Sequence, residues 1–163
     1  MRVAVVMGSA NDLNVVEPAI KVLKEFGVQV DVRCLSAHRA SDQLSEFIAL
    51  CNNNDTKVFI GAAGMAAALP GVIASQTTLP VIGLPLSSNN LDGMDALLSI
   101  VQMPPGIPVA TVAINGSKNA AYLALQILGT SNKEISQKLM NHRLQLKEAA
   151  VEANIQMMKK YGE

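Results

Sequence analysis

The tetrapeptide Ser36-Ala37-His38-Arg39 holds one of the two histidines in the 163-residue chain. It follows an apolar-rich segment, 28–34, whose composition predicts a β-strand. Open α/β sheets bind ligands beyond the carboxyl ends of their strands. An imidazole can accept and donate a proton near neutral pH, because its ordinary pKa lies there. We therefore expect His38 to be a general acid/base in a binding site at this strand end. The alternative is a structural histidine.

Arg39 and Ser36 give the same segment the means to bind an anion. A guanidinium is always charged, and its planar fork of N–H donors fits a phosphate better than an ammonium does. The hydroxyl of Ser36 adds a further hydrogen-bonding group. The segment therefore predicts a phosphate site beside His38, and the alternative for Arg39 is a surface ion pair.

A second polar segment, 8–12, separates a predicted strand, 3–7, from a predicted helix. The N–H groups and the dipole at the start of a helix favour an anion. Phosphate beside ribose would suit three side chains in this segment: Ser9, Asn11 and Asp12. Residues of these types also cap helices without binding a ligand, so that alternative stays open.

Small residues dominate a third segment, 61–71, up to its Leu-Pro-Gly end. Such residues let the backbone approach a flat ligand closely. We expect a floor for a planar ring, with contacts from Ala63, Gly64, Ala68 and Leu69. A close helix crossing would favour the same residue types, which leaves two interpretations. A fourth segment, 87–93, is polar and has no assigned role.

These segments lie between elements that alternate regularly along the chain. Short apolar runs predict strands at 3–7, 28–34, 58–62, 81–84 and 109–114. Helical spacing predicts helices from a capping box at Asn14 and Glu17 to Gly27, and at about 41–51, 65–76, 94–103 and 118–128. This alternation predicts a three-layer α/β/α sandwich with a mostly parallel, doubly wound, flavodoxin-like sheet.

The sequence after Gly129 predicts one long helix. Ser131 and Glu134 resemble a capping box, and no proline or glycine follows until after Tyr161. An apolar stripe runs along this helix: Ile135, Leu139, Leu146, Ala150, Ala153 and Met157. We expect a single domain in which 1–130 forms the catalytic unit and 131–163 packs on a neighbouring subunit. The alternative is a helix that bends onto its own sheet. His142 interrupts the stripe and is expected in a solvated or interface position.

Composition limits the classes of partner. Thirteen basic residues balance thirteen acidic ones, so no basic field is available to bind a nucleic acid. Hydrophobic residues make up 50% of the chain and charged residues 16%, which favours an oligomer that buries surface between subunits. Cys34 and Cys51 lack metal-binding spacing and are expected to be buried thiols in a reducing cytosol. With no signal segment and no apolar run of membrane-spanning length, we expect a soluble cytoplasmic protein that binds no metal.

Taken in order, the segments resemble the 5-(carboxyamino)imidazole ribonucleotide mutases of purine biosynthesis. The resemblance covers about residues 2–130. The motifs that carry it are Met7-Gly8-Ser9 with Asp12, Ser36-Ala37-His38-Arg39, the small-residue segment 61–71, and the segments 79–83, 99–104 and 108–111. Each motif is common alone, whereas the ordered set is highly specific.

The resemblance implies an isomerase without a cofactor that moves a carboxylate from the exocyclic nitrogen of an aminoimidazole ribonucleotide to a ring carbon. It implies that His38 relays the ring-carbon proton and that Ser9 and Asp12 bind the ribonucleotide, Asp12 at the ribose hydroxyls. Ser36 and Arg39, joined by Asn11, would hold the phosphate. The resemblance also implies a homo-octamer with active sites at subunit junctions. The charge balance and the lack of a membrane-spanning run predict neither a nucleic-acid nor a membrane partner.

Three positions depart from the pattern of that family. Asn11 replaces a frequent serine, and Ser41 replaces a proline that is common after the Ser-Ala-His-Arg motif. Ala68 stands where many members carry a histidine before Leu-Pro-Gly. This protein must therefore work without that histidine or receive a residue from a neighbouring subunit.

Three other functions remain open. A second branch of the family carboxylates aminoimidazole ribonucleotide directly with carbon dioxide, but its members usually have lysine after the histidine and lack Leu-Pro-Gly. A flavodoxin-like FMN protein would need rings to stack on the flavin, and only 3% of the residues are Phe, Trp or Tyr. A nucleotide-sensing module without catalysis would use the same phosphate segments and would not need His38.

Overall fold

A five-stranded parallel sheet forms the centre of the molecule. The computed structural model describes residues 1–162. The strands are β1 (Arg2–Met7), β2 (Gln29–Cys34), β3 (Thr56–Gly64), β4 (Val81–Leu86) and β5 (Ala110–Thr111). Their spatial order is β2-β1-β3-β4-β5, and every pair is parallel. This is the flavodoxin-like order, and it confirms the predicted sheet.

Six α-helices cover the two faces of the sheet. They are α1 (Leu13–Glu25), α2 (Ser41–Asn52), α3 (Leu69–Ala74), α4 (Met94–Val101), α5 (Ser117–Gly129) and α6 (Lys133–Tyr161). Helices α1 and α5, with the start of α6, pack on one face, and α2, α3 and α4 pack on the other. The three-layer α/β/α sandwich is therefore confirmed.

The alternation of side chains in β1 shows why the strands are apolar throughout. Val3 and Val5 belong to the core on the α1 and α5 side, whereas Ala4 and Val6 belong to the core on the α2–α4 side. All four side chains are fully buried. A strand buried on both faces needs a continuous apolar run rather than an alternating pattern.

Several predicted element boundaries are wrong. The predicted strand 109–114 contains only Ala110–Thr111, and the predicted helix 65–76 shrinks to Leu69–Ala74. Met65 has a φ of 56°, a left-handed conformation that a helix cannot contain. Strand β3 is longer than predicted at both ends, and β4 continues two residues beyond the predicted 84.

Strand β4 contains Pro85, whereas the predicted strand 81–84 stopped before it. The Pro85 carbonyl accepts a hydrogen bond from the Asn115 N–H at 2.9 Å. The N and O atoms of one strand residue point to the same side, so the missing N–H of Pro85 faces the β5 side. Strand β5 pairs only with Ile82 and Gly83 and has already ended there. The proline therefore breaks no ladder bond.

Two predicted capping boxes are also wrong. A 3₁₀ turn, Ala10–Asp12, precedes α1, and the capping box is formed by Ser9 and Asp12 rather than by Asn14 and Glu17. At α6 the capping residue is Asn132, whose side chain accepts a hydrogen bond from the Ile135 N–H at 3.0 Å. Several residues near each helix start have side chains that can cap it. Which one does so depends on the backbone conformation of the chain that leads into the helix.

Helix α6 extends beyond the body of the domain. Its 29 residues span about 44 Å. Ile135 is buried, but every residue from 143 to 161 is exposed. Leu146 and Met157 of the predicted stripe are 56% and 54% exposed. The helix therefore does not bend back onto its own sheet.

His142 lies where α6 leaves the domain. Its ring stacks on Tyr122 at 4.7 Å and meets Phe26 edge-on at 6.3 Å. Burial raises the pKa of Tyr122. The prediction of a solvated or interface position therefore describes His142 only in part, because its imidazole packs against Tyr122 and Phe26 of the same subunit.

The two cysteines lie in different environments. Cys51 is buried, as expected, and burial raises the pKa of its thiol. Cys34 is exposed, because it ends the edge strand β2, and the prediction of a buried thiol there is wrong. In the part of the chain that the structure describes, no helix is long and apolar enough to cross a membrane.

Candidate active site

A cavity of about 550 Å³ lies at the carboxyl edge of the sheet. Segments that follow four adjacent strands line it, in the order β2, β1, β3 and β4. The cavity brings together all of the predicted site residues: Ser9, Asn11, Asp12, Ser36, His38, Arg39, Ala63, Gly64, Ala68 and Leu69. Their roles remain predictions, but their convergence is a property of the fold.

The segment after β1 caps the following turn and still has polar groups free to bind a ligand. The Ser9 N–H donates to Asp12 Oδ2 at 2.9 Å, and the Asn11 N–H donates to Ser9 Oγ at 3.3 Å. Ser9 and Asp12 therefore cap the turn, but the capping uses only one carboxylate oxygen and leaves the Ser9 hydroxyl proton available. Burial raises the pKa of Asp12, and the hydrogen bond from Ser9 opposes that effect. Asp12 can still accept hydrogen bonds from vicinal hydroxyls.

The segment after β2 presents His38 and Arg39 to the cavity. A turn closes there, with the N–H groups of Arg39 and Ala40 donating to the Ser36 carbonyl at 3.3 and 2.9 Å. Both His38 and Arg39 are exposed and line the cavity. Within residues 1–162 neither side chain makes a hydrogen bond or ion pair, so Arg39 is not held in the alternative surface ion pair. His38 is likewise not a buried structural histidine.

The segment after β3 forms a surface of backbone and methyl groups. Ala63 and Leu69 are buried, whereas Gly64 and Ala68 are half-buried. A Cβ atom at Gly64 would lie 3.4 Å from the Leu86 carbonyl oxygen, in van der Waals contact with β4. The floor for a planar ring stays a prediction, whereas close helix packing explains the small residue at position 61. A Cβ atom at Gly61 would lie 3.2 Å from Pro70 Cα, which reflects close helix packing.

The segment after β4 supplies residues that the sequence analysis did not select. Leu86, Ser87 and Ser88 line the cavity. The sequence places the polar segment 87–93 at this edge, but nothing in it singles out Ser87 or Ser88 for a role. The detectable signal was the polar segment 87–93 itself, which follows a buried strand. Met65, Ala66 and Ala67 are further lining residues without a predicted role.

The ionisable groups of the cavity are few. Among its lining residues only Asp12, His38 and Arg39 can carry charge. No group of three or more His, Cys, Asp or Glu side chains in residues 1–162 is arranged to hold a metal ion. The cavity therefore offers one permanent cation for an anion, one carboxylate for hydroxyl groups and one imidazole for a proton.

A second and larger cavity, of about 940 Å³, lies at the amino edge of the sheet. Its lining includes Asn52, Gln76, Thr77 and Thr78, together with apolar residues and prolines, and contains no ionisable side chain. Asn52 and Thr77 are already engaged, since Thr77 Oγ1 bonds to Asn52 Oδ1 and Asn52 Nδ2 donates to the Gln76 carbonyl. Its polar groups serve mainly the local structure.

Comparison with known proteins assigns the chain to a family. Two relatives named N5-carboxyaminoimidazole ribonucleotide mutase are each 51% identical. The one from Saccharolobus solfataricus covers 85% of this chain and 87% of its own, and the one from Methanocaldococcus jannaschii covers 89% and 90%. The crystal structure of Treponema denticola PurE superposes with a TM-score of 0.85 at 29% identity over 99% of both chains. Residues 2–149 match the AIR carboxylase family, and the chain therefore belongs to it.

Proposed function

We propose that this protein is a 5-(carboxyamino)imidazole ribonucleotide mutase. It would convert 5-carboxyamino-1-(5-phosphoribosyl)imidazole to 5-amino-1-(5-phosphoribosyl)imidazole-4-carboxylate in purine (IMP) biosynthesis. Its family membership supports this function, as do the mutase names of relatives that match most of the chain. The observation that carries the proposal is the placement of His38 and Arg39 in one cavity with the small-residue surface after β3.

The phosphate end of the substrate would lie over the segment after β2. Arg39 supplies the cation and Ser36 a hydroxyl, and Asn11 from the neighbouring segment adds an amide. Ser9 and Asp12 follow β1, which lies between β2 and β3, and would contact the ribose. Asp12 would accept hydrogen bonds from the ribose hydroxyls through the oxygen that Ser9 leaves free.

The imidazole ring of the substrate would lie on the surface after β3. Ala63, Gly64, Ala68 and Leu69 provide backbone and methyl contacts without charged side chains. A flat ring needs close approach rather than directional side-chain bonds. Because Ala68 has only a methyl group, His38 is the one histidine that lines the cavity in residues 1–162.

The proposed reaction balances without a redox or nucleotide cofactor. The bond between the exocyclic nitrogen and the carboxylate carbon breaks, its electron pair stays on nitrogen, and carbon dioxide is formed. The ring carbon then attacks carbon dioxide and forms a C–C bond. His38 accepts the proton that the ring carbon loses, and a proton returns to the nitrogen. Trapping carbon dioxide in the cavity keeps its effective concentration high.

The direct test supplies the carboxyamino ribonucleotide to the purified protein and follows the ring-carboxylated product. We expect product without ATP and without added bicarbonate. Product from aminoimidazole ribonucleotide and high bicarbonate, with none from the carboxyamino compound, would instead assign the direct carboxylase branch. Arg39 and the Leu69-Pro70-Gly71 sequence favour the mutase over that branch.

The geometry gives less support to a flavin protein. Tyr122 packs against Phe26 and His142, and no Phe, Tyr or Trp lines the cavity in the described residues. A flavin ring would therefore lack a stacking partner from this chain. Yellow colour with FMN absorbance in the purified protein would support the FMN alternative.

We propose further that the protein is a homo-oligomer, and an octamer by family resemblance, working in the cytoplasm without nucleic-acid or membrane partners. Support for assembly comes from α6, which has exposed apolar residues on two sides. One side carries Leu146 and Met157, and the other carries Met140, Leu144, Val151, Ile155 and Met158. A second copy of this chain would cover them. Sedimentation that shows a stable monomer at micromolar concentration would contradict this proposal.

A further inference from the structure

Ser87 and Asn115 form a two-point hydrogen-bonded pair at the rim of the candidate active site. The Ser87 N–H donates to Asn115 Oδ1 at 3.0 Å, and Asn115 Nδ2 donates to Ser87 Oγ at 2.8 Å. The two residues are 28 positions apart, at the end of β4 and before α5. Ser87 lines the cavity, whereas Asn115 does not.

This pair fixes where the hydroxyl proton of Ser87 can go. A backbone N–H can only donate, so the side-chain atom of Asn115 that faces it must be the carbonyl oxygen. The amide nitrogen of Asn115 must then face Ser87 Oγ, which accepts one of its protons. A hydroxyl that accepts in this way still has its own proton to donate. Within residues 1–162 that proton has no acceptor, so it is available to a ligand in the cavity.

Asn115 is itself held rigidly. Its φ is 57°, a left-handed conformation that asparagine tolerates better than most residues. Its N–H donates to the Pro85 carbonyl at 2.9 Å, two residues before Ser87. Three hydrogen bonds therefore connect Asn115 to the end of β4. The hydroxyl of Ser87 is fixed in place before any substrate binds.

The position of Ser87 indicates which part of the substrate it meets. Ser87 follows β4 and Arg39 follows β2, so two strands separate the strands that carry them. Adjacent strands lie about 4.8 Å apart, which places the two strand ends about 14 Å from each other. If Arg39 binds the phosphate, Ser87 lies at the far end of an extended ribonucleotide. That end carries the migrating carboxyl group.

We propose that the Ser87 hydroxyl donates a hydrogen bond to the migrating carboxyl group and that Asn115 is its positioning residue. The proposal rests on the proposed mutase function. The carboxyl group alternates between an anion and neutral carbon dioxide during the reaction. A neutral donor can hold both forms, whereas a cation would favour the anion and oppose its cleavage. Arg39 is the only permanent cation that lines the cavity, and it follows β2, whose end is about 14 Å from the end of β4.

The first test is Ser87→Ala with the carboxyamino ribonucleotide as substrate. We expect kcat/KM to fall about 10- to 100-fold, the effect of losing a hydrogen bond to a charged group. More carbon dioxide should also escape after the N–C bond breaks. The fraction of consumed substrate that appears as aminoimidazole ribonucleotide should rise after subtraction of the enzyme-free rate. Ser87→Thr keeps the hydroxyl and should return most of this fraction to its wild-type value.

Ser88→Ala is the matched control. Ser88 also lines the cavity, but its hydroxyl already donates to the Asn90 carbonyl at 2.6 Å. Its proton is therefore not free for the substrate. We expect Ser88→Ala to leave the ratio of the two products as in the wild-type protein. Equal uncoupling in both serine variants would overturn the proposal, because a general loosening of the segment would then explain the effect.

Asn115→Gly tests the positioning role. Glycine keeps the left-handed conformation and removes only the side chain. We expect it to uncouple the reaction as Ser87→Ala does, and the double variant to be no worse than either single one. Additive effects would show that Asn115 does not act through Ser87. If the wild-type protein makes no ring-carboxylated product, the mutase function fails; if it does and Ser87→Ala is unchanged, only this proposal fails.

Discussion

Each edge of the sheet contains a cavity, and the larger cavity is the one without ionisable lining residues. The amino-edge cavity is about 940 Å³ and has no ionisable lining residue, whereas the carboxyl-edge cavity is about 550 Å³ and contains Asp12, His38 and Arg39. Cavity size alone would select the edge whose cavity has no ionisable lining residue. The types of side chain, and not the volume, distinguish a site that can bind an anion and move a proton.

The direction of the chain explains this difference. Every helix that follows a strand begins at the carboxyl edge and ends at the amino edge. Helix N-termini carry a partial positive charge and free N–H groups, whereas the C-termini carry partial negative charge. An anionic substrate is therefore favoured at the carboxyl edge. The predictions below test whether function lies at that edge alone.

The largest effect is expected for His38→Asn. The amide can form hydrogen bonds but cannot relay a proton at neutral pH, so turnover should fall by at least about 100-fold. Binding of the ribonucleotide should be retained, since the cation and the small-residue surface are intact. Steady-state kinetics and calorimetric titration with a product analogue measure the two quantities. Unchanged turnover would contradict the role of His38 as the general acid/base, whereas a wild-type protein that binds the ribonucleotide without turnover would favour the nucleotide-sensing alternative.

Arg39→Lys should weaken substrate binding while leaving the chemical step nearly intact. Lysine keeps the charge but loses the planar fork of donors, so KM should rise about 30-fold with little change in kcat. The same variant should bind inorganic phosphate more weakly as an inhibitor. A fall in kcat at unchanged KM would place Arg39 at the reacting atoms and would contradict its assignment to the phosphate.

Asp12→Asn should raise KM by about 10-fold, because an amide accepts ribose hydroxyl protons less well than a carboxylate. The same change should stabilise the unliganded protein at neutral pH. Burial raises the pKa of Asp12, so its ionisation in the fold costs free energy once the pH exceeds the ordinary aspartate pKa.

The pH dependence provides the check on that sign. The relative stability that comes from the raised pKa of Asp12 is fully present below the unfolded-state pKa and is lost as pH rises through the folded-state pKa. The gain in Tm of Asp12→Asn should therefore be present at pH 7 and vanish toward pH 3. Thermal denaturation of both proteins across this range measures it. If the Tm of Asp12→Asn minus that of the wild type is smaller at pH 7 than at pH 3, the result contradicts the raised pKa.

The smallest effect is expected at the amino edge. Thr78 is exposed, lines the larger cavity and makes no side-chain hydrogen bond among the described residues. Thr78→Ala should change kcat/KM by less than about two-fold and the free energy of unfolding by less than about 0.5 kcal/mol. A large loss of activity in this variant would break the distinction between the two edges.

Much of the fold could be predicted from the residues. The continuous apolar runs at β1 and β4 indicated strands buried on both faces, and the intervening helical spacing indicated parallel crossovers. The short β5 and the shortened α3 could not be predicted in the same way. Val109 and Val112 pack against the two cores although both lie outside β5, and only the Val112 N–H bonds to β4, at the Gly83 carbonyl. Apolar patterns report burial, and burial alone does not determine hydrogen-bond pairing.

The site was predictable for a different reason. His38, Arg39 and Asp12 are chemically distinctive, and each follows a strand, so the parallel topology brings them to one edge. The hydrogen-bonded pair of Ser87 and Asn115 was not predictable, because serine is common in polar segments and its partner is 28 residues away. The resemblance to a family identified the motifs, but it did not identify that contact.

The sequence by itself determined the alternation of strands and helices and the polar chemistry at the strand ends. Both follow from local properties: apolar periodicity, turn residues and the side-chain groups themselves. Only the tertiary structure decided that β5 pairs over two residues, that β4 runs on through Pro85, and that Asn115 bonds to the hydroxyl of Ser87. These features depend on strand order, register and contacts between distant segments, which are set by the packing of the whole chain rather than by any one segment.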